Sequence, residues 1–346
     1  MYEVKFTLDF IQTGAQTDVF IRPGLMDHLG SVAQHLIQAR RVFLITDTNV
    51  AGPYLAKAEQ SLTPIASEVN VHIFEAGEAS KDWDTAGGIH TEMARLAYHR
   101  DAVIYALGGG VVSDLAGFVA ATWMRGVDWI ACPTTMEAVL DAAIGGKTAV
   151  NLPLGKNLVG AFHHPRAVMV DPRCLSTLPV RDLRAGLAEA AKHAVLQSES
   201  ELDWLSKNAE AILALSPEVV GSLIERNLRY KGSIASADPD ERLGGRVMLN
   251  FGHTVGHALE ITAKGNWRHG ECVALGMLVE SRIAEALGLL TPDDVARLHS
   301  VLQQLQLPCR MPSPLDAGAI WEAMRRDKKN ASDAVRMVLL VGIGKP

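Results

Sequence analysis

An α/β domain with a mostly parallel sheet, followed by an all-α domain, is the fold class predicted by two patterns in the sequence. The first is a set of short β-branched runs separated by helical stretches: Arg41-Val-Phe-Leu-Ile-Thr46, Val69-Asn-Val-His-Ile-Phe74, Ala102-Val-Ile-Tyr-Ala-Leu107 and Val127-Asp-Trp-Ile-Ala-Cys132. Strands joined through helices pair in parallel, and the helices cover the sheet on both faces. The second pattern begins after about Asp171. From there Asp182 to Gln197, Pro217 to Ala235, Val255 to Thr262, Glu271 to Leu287 and Asp293 to Leu305 carry apolar residues at helical spacing. The stretch DPRCLSTLPV, from Asp171-Pro172, marks the change and divides the chain into residues 1–175 and 176–346.

Bulk properties narrow the function classes. A chain of 346 residues, 48% hydrophobic and 21% charged, can bury the cores of two domains. Its formal net charge of -6 argues against a sequence-independent nucleic-acid binder, which needs a basic face to release counterions. Any anionic ligand must then be met by a local basic cluster. The start, MYEVKFTLDF, has no basic leader before an apolar stretch, and no run of about 18 apolar residues occurs. A cytoplasmic protein with no membrane partner is expected. Cys132, Cys174, Cys272 and Cys309 form no C-x-x-C pair and read as free thiols, not as disulfides or zinc ligands.

Five segments carry chemistry. Leu107 runs into Gly108-Gly109-Gly110-Val-Val-Ser-Asp114-Leu-Ala-Gly117, so a glycine turn opens a helix. Backbone N–H groups at such a start can receive a phosphate, because glycine admits close approach and the helix dipole favours negative charge. The turn lacks the G-x-G-x-x-G fingerprint, and a plain tight turn accounts for it about equally well. Gly145-Gly146-Lys147-Thr148 invites a P-loop reading, but Asp141 stands where the first glycine belongs, which excludes that class. Gly155-Lys156-Asn157 follows. Lys147, Lys156 and the Asn157 amide, near one another in sequence, suit an anionic small molecule, with a solvated loop as the alternative.

In Phe251-Gly252-His253-Thr-Val-Gly256-His257 the histidines are spaced i, i+4, on one face if the segment is helical. His269 lies further along, and a third histidine among glycines points to a metal site, with ordinary core or surface histidines as the alternative. Glu189, in Gly186-Leu-Ala-Glu189-Ala-Ala-Lys192-His193, is a carboxylate in an apolar helix that could supply the remaining ligand. A solvated helix face or an i, i+3 pair with Lys192 is equally open.

Taken in order, these segments resemble the sugar-phosphate cyclases, most closely the 3-dehydroquinate synthase family. The matching motifs span nearly the whole chain: Gly77-Glu78-Ala-Ser-Lys81, GGGVVSDLAGF, Arg125-Gly126-Val127, Pro133-Thr134-Thr135, Asp141 to Lys147, PLGKNLVGAF, RAGLAEAAK, NFGHTVGHA, HGE and Arg326-Asp327-Lys328-Lys329. The resemblance implies an NAD-binding α/β domain over residues 1–175, a helical metal- and substrate-binding domain over 176–346, and a homodimer. NAD and zinc, with cobalt as an alternative metal, are the implied cofactors. Glu189, His253 and His269 become the metal ligands, and His257 moves beside the substrate phosphate. Asp47, Asn49, Glu78, Lys81, Asp114, Thr134, Thr135 and Lys156 are placed at NAD with the turn Gly108, Gly109 and Gly110. Lys147, Asn157, His257 and Lys329, preferred over Lys328, would hold the phosphate, with Arg125 reaching it from the other subunit. Asp141, Lys192, Lys231, Arg246 and Asn250 would surround the hydroxyls and carboxylate. Asp141, Lys147, Lys192 and His257 are the expected catalytic groups.

The implied reaction is a phosphate-eliminating cyclisation of 3-deoxy-D-arabino-heptulosonate 7-phosphate to 3-dehydroquinate, a step of the shikimate pathway to aromatic amino acids. Oxidation of the C5 hydroxyl acidifies the neighbouring C–H, phosphate leaves, the hydride is returned, and ring opening with aldol closure forms the carbocycle. Retention of Arg246, Asn250 and His257 favours a heptulosonate over the substrates of other cyclases. Departures from the family pattern at Glu137, Ala142-Ala143, His163-His164 and His193-Ala194 leave room for the amino-substituted analogue or for a valiolone-type synthase. The remaining alternatives are a metal-dependent polyol dehydrogenase, which the many lysines and Glu189 oppose, and an inactive binding homologue.

Overall fold

The computed structural model describes residues 2–10, 12–263, 266–311, 316–325 and 335–346. Two compact units make up the chain: Met1–Leu178 with Lys231–Asp240, and Pro179–Tyr230 with Glu241–Pro346.

The strands are β1 (Val4–Phe10), β2 (Ala15–Ile21), β3 (Arg41–Asp47), β4 (Glu68–Phe74), β5 (Val103–Gly108), β6 (Asp128–Pro133), β7 (Lys147–Leu152), β8 (Gly155–Phe162) and β9 (Ala167–Val170). Seven form one sheet in the order β1-β2-β9-β6-β5-β3-β4, parallel except for the β1–β2 pair, and β7 and β8 form a separate antiparallel hairpin. The four runs expected as strands are β3 to β6, each within one residue of its expected bounds. β5 is buried at every residue, which is why its apolar run does not alternate. On one face of the sheet, Val42 and Leu44, Val103, Tyr105 and Leu107, Ile130 and Cys132 recur at period two and pack with Leu29, Ile37, Ala58 and Leu62.

Helices α1 (Trp83–Arg95) and α2 (Gly110–Thr122) precede and follow β5. Asp82 starts α1 by accepting a hydrogen bond from Thr85 N at 2.8 Å. From β3 the chain moves outward to β4, then returns to lay β5 on the other side of β3. That reversal makes the carboxyl ends of β3 and β5 a topological switch point, the place where open α/β sheets bind ligands. Thr46 Oγ1 ties the two strands there by donating to the Leu107 carbonyl at 2.8 Å.

The second unit is helical. It contains α3 (Val180–Gln197), α4 (Glu199–Leu213), the first part of α5 (Pro217–Ala237), α6 (His253–Thr262), α7 (His269–Ala286), α8 (Pro292–Gln304) and α9 (Ala317–Arg325). All but α4 and α9 coincide with the helical stretches expected from sequence. Ser198 caps α4 by accepting from Glu201 N. Thr291 and Asp294 form a capping box ahead of α8, with Pro292 in its first turn. Helix α7 lies close against two neighbours. A Cβ on Gly270 would sit 1.9 Å from the Ala185 carbonyl oxygen of α3, and one on Gly276 the same distance from the Gly252 oxygen before α6.

Candidate active site

In the first unit, the residues expected at NAD lie at or just after the carboxyl ends of β3 to β6, except Lys156, which is on the β7–β8 hairpin. The Gly108-Gly109-Gly110 turn leaves β5 and enters α2 at Gly110. A side chain at Gly108 would collide with Val112, its Cβ lying 2.4 Å from Cγ2, so the turn closes too tightly for any other residue. Thr134 N donates to the Gly108 carbonyl at 2.9 Å, and Thr135 Oγ1 accepts from Ala138 N at 3.2 Å. Asp47 is buried, and its Oδ1 accepts from Asn49 N and Val50 N at 3.0 Å each. Burial raises its pKa despite those bonds. Asn49 is exposed at the same strand end.

Lys81 is 4% exposed and holds two carboxylates, Asp114 Oδ2 at 3.0 Å and Glu78 Oε1 at 3.1 Å. Burial alone would depress its ammonium, but Asp114 and Glu78 outweigh that and raise its pKa. Burial lifts the Asp114 carboxyl to about 6, with Lys81 opposing. Asn151, absent from the sequence expectations, ties this group to the hairpin. Its Nδ2 donates to Glu78 Oε1 at 2.8 Å, and its Oδ1 accepts from Asn157 N at 2.9 Å. Its own N–H donates to the Lys81 carbonyl at 2.7 Å.

The hairpin does not bring all the clustered cations together. Lys147 pairs with Phe162 at one end of the ladder, while Gly155 meets Leu152 at the other, so Lys156 stands near the turn. At about 3.3 Å per residue, Lys147 lies roughly 13 Å along the ladder from the Lys156-Asn157 end. Lys147, Lys156 and Asn157 are all exposed, Asn157 with a left-handed φ of 52°. Asp141 receives the Lys231 ammonium on both its backbone oxygen and its Oδ1, and Lys231 is 5% exposed. Lys231 belongs to the end of α5 that groups with the first unit. Arg125 is exposed on a turn where Met124, Arg125 and Gly126 have φ of 48°, 67° and 116°.

In the second unit, Glu189 sits in the middle of α3 and is 1% exposed, which excludes the solvated-face reading. Lys192, one turn on and equally buried, makes the expected ion pair with its Oε2. Apart from the Lys192 ammonium, neither Glu189 oxygen has a hydrogen-bond donor among the described residues. His253, at the start of α6, points Nε2 toward Glu189 Oε1 at 3.6 Å. Its Nδ1 lies 3.1 Å from the Phe251 carbonyl, and His269 Nδ1 lies 3.1 Å from Glu260 Oε2. Oxygen acceptors at both Nδ1 atoms make these the protonated nitrogens and give both Nε2 atoms the lone pair, the state a metal requires. Burial, then Lys192, His269 and His257, holds the His253 pKa well below its ordinary value.

Ligand atoms of Glu189, His253 and His269 all lie within 4.8 Å of one another. A buried carboxylate whose one close donor is Lys192, beside two oriented imidazoles, fits a divalent metal in donor type and number. His257 is adjacent, its ring 5.4 Å from that of His253 and 5.8 Å from that of His269. Glu260 escaped the sequence expectations, although it follows His253 by two helical turns. On the other side of Glu189, Asn227 Nδ2 donates to the Leu223 carbonyl, so its Oδ1 accepts from His193 Nδ1 at 2.9 Å. His193 Nε2 then stands 3.8 Å from Glu189 Oε2. Arg246 is 2% exposed with Nε 3.5 Å from Glu241 Oε1, and Asn250 Nδ2 donates to the Val247 carbonyl. Lys328 and Lys329 lie outside the described residues.

This combination of an α/β unit and a helical unit is that of the sugar-phosphate cyclases. A 2-deoxy-scyllo-inosose synthase complexed with carbaglucose-6-phosphate, NAD+ and Co2+ is similar with a TM-score of 0.90 and 28% identity, over 99% of this chain and 93% of its own. ValA, the 2-epi-5-epi-valiolone synthase of Streptomyces hygroscopicus subsp. jinggangensis 5008, with NAD+ and Zn2+ bound, gives 0.84 and 28% over 95% and 91%. Among curated relatives, the 3-dehydroquinate synthase of Xylella fastidiosa (strain M23) is 41% identical over 342 residues, 96% of this chain and 92% of its own. Residues 71–185 match the 3-dehydroquinate synthase N-terminal family and residues 186–330 the C-terminal family. The chain belongs to the 3-dehydroquinate synthase family, whose enzymes are phosphate-eliminating carbon–oxygen lyases.

Proposed function

We propose that this enzyme cyclises 3-deoxy-D-arabino-heptulosonate 7-phosphate to 3-dehydroquinate with release of phosphate, using bound NAD and a divalent metal, zinc first and cobalt as a substitute. The observation that carries the reading is the cluster of buried Glu189 with half-buried His253 and His269, with Lys192 against the carboxylate. Family membership and the cyclase neighbours support it.

When bound, the metal lowers the pKa of the hydroxyl it meets, and NAD takes up and returns a hydride within one turnover. The chain's own residues do the rest. In this reading the first unit binds NAD through the Gly108 to Gly110 turn, with Asp47, Asn49, Glu78, Lys81, Asp114, Thr134, Thr135 and Lys156. The Lys192 ammonium stabilises negative charge on the substrate oxygen as its proton leaves. Arg246 takes the carboxylate through two parallel hydrogen bonds, with Asn250 beside it. Asp141, held by Lys231, orients hydroxyls. Lys147, Asn157, His257 and Lys329 hold the phosphate and favour its departure as an anion, with Arg125 supplied by a second subunit of a homodimer. No helix among the described residues is long and apolar enough to cross a membrane, and we assign the enzyme to the cytoplasm.

The test offers the purified chain, with NAD and zinc, the hydroxy and amino heptulosonate phosphates side by side. Phosphate release with a carbocyclic product from the hydroxy substrate, and no accumulation of NADH, is the expected result. Preference for the amino substrate makes it the aminodehydroquinate enzyme, and NADH accumulating from a simple polyol overturns the cyclase reading.

A further inference from the structure

Helix α6 starts with a defect that its own sequence cannot repair. Its N-cap is Gly252, at φ 78° and ψ -12°, which has no side chain to receive the first free N–H groups. Glycine is enforced there, because a Cβ would lie 2.5 Å from Met277 Cγ and 2.9 Å from the Val273 carbonyl oxygen. The missing cap comes from α7. Glu280, 0% exposed, accepts from Gly252 N on Oε2 at 2.6 Å and from Val255 N on Oε1 at 3.3 Å. These are the N-cap and N3 donors, the two that a capping box satisfies with two side chains. One carboxylate from a neighbouring helix serves both, and its charge suits the positive end of the α6 dipole.

Between the two anchored N–H groups stands His253. On α7, Glu280 follows His269 by eleven residues, about three turns, and so shares its face. One helix therefore carries His269 at its start and the clamp for His253 further along. We propose that Glu280 is a positioning residue of the metal centre, fixing the backbone that presents His253 Nε2 beside Glu189. The proposal rests on the metal reading above.

The test compares the metal-free full chain with its Glu280→Gln and Glu280→Asp variants. Glutamine keeps one acceptor and turns an amide toward the other N–H, and aspartate keeps the charge but falls short by a methylene. Zn2+ and Co2+ dissociation constants are measured by competition with a chelating indicator, together with the visible spectrum of bound Co2+ and the melting of the metal-free protein. The expected result is binding weaker by about 10–100-fold in both variants, with an altered Co2+ spectrum. Lower melting with unchanged metal affinity and spectrum overturns the proposal. So does failure of both variants to fold at any metal concentration, since Glu280 would then serve the fold alone. A wild-type chain that binds neither ion overturns the metal reading itself, a result distinct from equal binding by wild type and variants.

Discussion

His253 Nε2 faces Glu189 Oε1 at 3.6 Å, with the other ring nitrogen of His253 turned to the Phe251 carbonyl. In the proposed reading the pair shares a cation, and burial, then Lys192, His269 and His257, holds the imidazole pKa well below its ordinary value. His269→Ala is expected to weaken metal binding by more than about 100-fold, beyond the usual loss for an outer-shell partner, and to abolish turnover. Glu189→Gln should do the same and also lower stability by about 3 kcal/mol, since it leaves the buried Lys192 ammonium without its carboxylate. Metal content after dialysis and phosphate release are the readouts. Wild-type activity after complete chelation would sink the claim.

The Lys81–Asp114 pair makes a prediction about pH. Burial raises the Asp114 carboxyl to about 6 against an ordinary 3.8, even with Lys81 at 3.0 Å. Between those values the folded chain holds a proton that the unfolded chain has released. The stability this group contributes is therefore present below its ordinary pKa and is lost as pH rises through about 6. Relative to Asp114→Asn, the wild type should lose up to about 3 kcal/mol across that window, read by urea unfolding at several pH values. A constant difference between the two proteins would contradict the assignment.

Much of this fold is legible because its central strands and long helices announce themselves locally. Val103, Tyr105 and Leu107 lie in a continuous apolar run, and the α3 and α7 stretches keep helical spacing. The outer strands do not, because their partners are far away: β2 joins the sheet by pairing Asp18 with Ala167. The same distance hid much of the site. His253, His257 and His269 fall within one short segment and suggest a metal by themselves. Glu189 needed the family resemblance, since nothing in the spacing of α3 distinguishes a ligand from a salt-bridged helix position. Asn151 and Glu280 were invisible because each acts on groups that the fold, not the sequence neighbourhood, brings to it: the Glu78 carboxylate for Asn151, and the Gly252 and Val255 N–H groups for Glu280.

Arg246 should govern carboxylate recognition. Its side chain is 2% exposed, so its orientation is set by packing, and Glu241 Oε1 at 3.5 Å marks where a carboxylate oxygen can approach. Removing one partner of a buried, hydrogen-bonded charge pair costs at least about 2 kcal/mol, so Arg246→Ala should lower kcat/KM by about 30-fold or more. Arg246→Lys should not restore it, because an ammonium cannot reproduce the planar fork. Steady-state kinetics decide the matter. Unchanged KM and kcat would place the substrate carboxylate elsewhere.

Gly270 tests how tightly the proposed metal ligands are tied to helix packing. It follows His269, and the Ala185 carbonyl that a Cβ would strike at 1.9 Å belongs to α3, the helix of Glu189. A backbone oxygen cannot rotate aside as a side chain can, so Gly270→Ala must push α7 and α3 apart. The expected cost is about 3 kcal/mol, the upper end for overpacking, together with weaker metal binding as His269 is carried away from Glu189. Gly87→Ala in α1 is the control, because nothing lies within 4 Å of its added Cβ. There alanine should stabilise by about 1 kcal/mol through helix propensity and leave metal binding alone. Urea unfolding and a chelator competition on both variants separate the effects, and equal stability of the two would show that α7 and α3 yield to the extra methyl group.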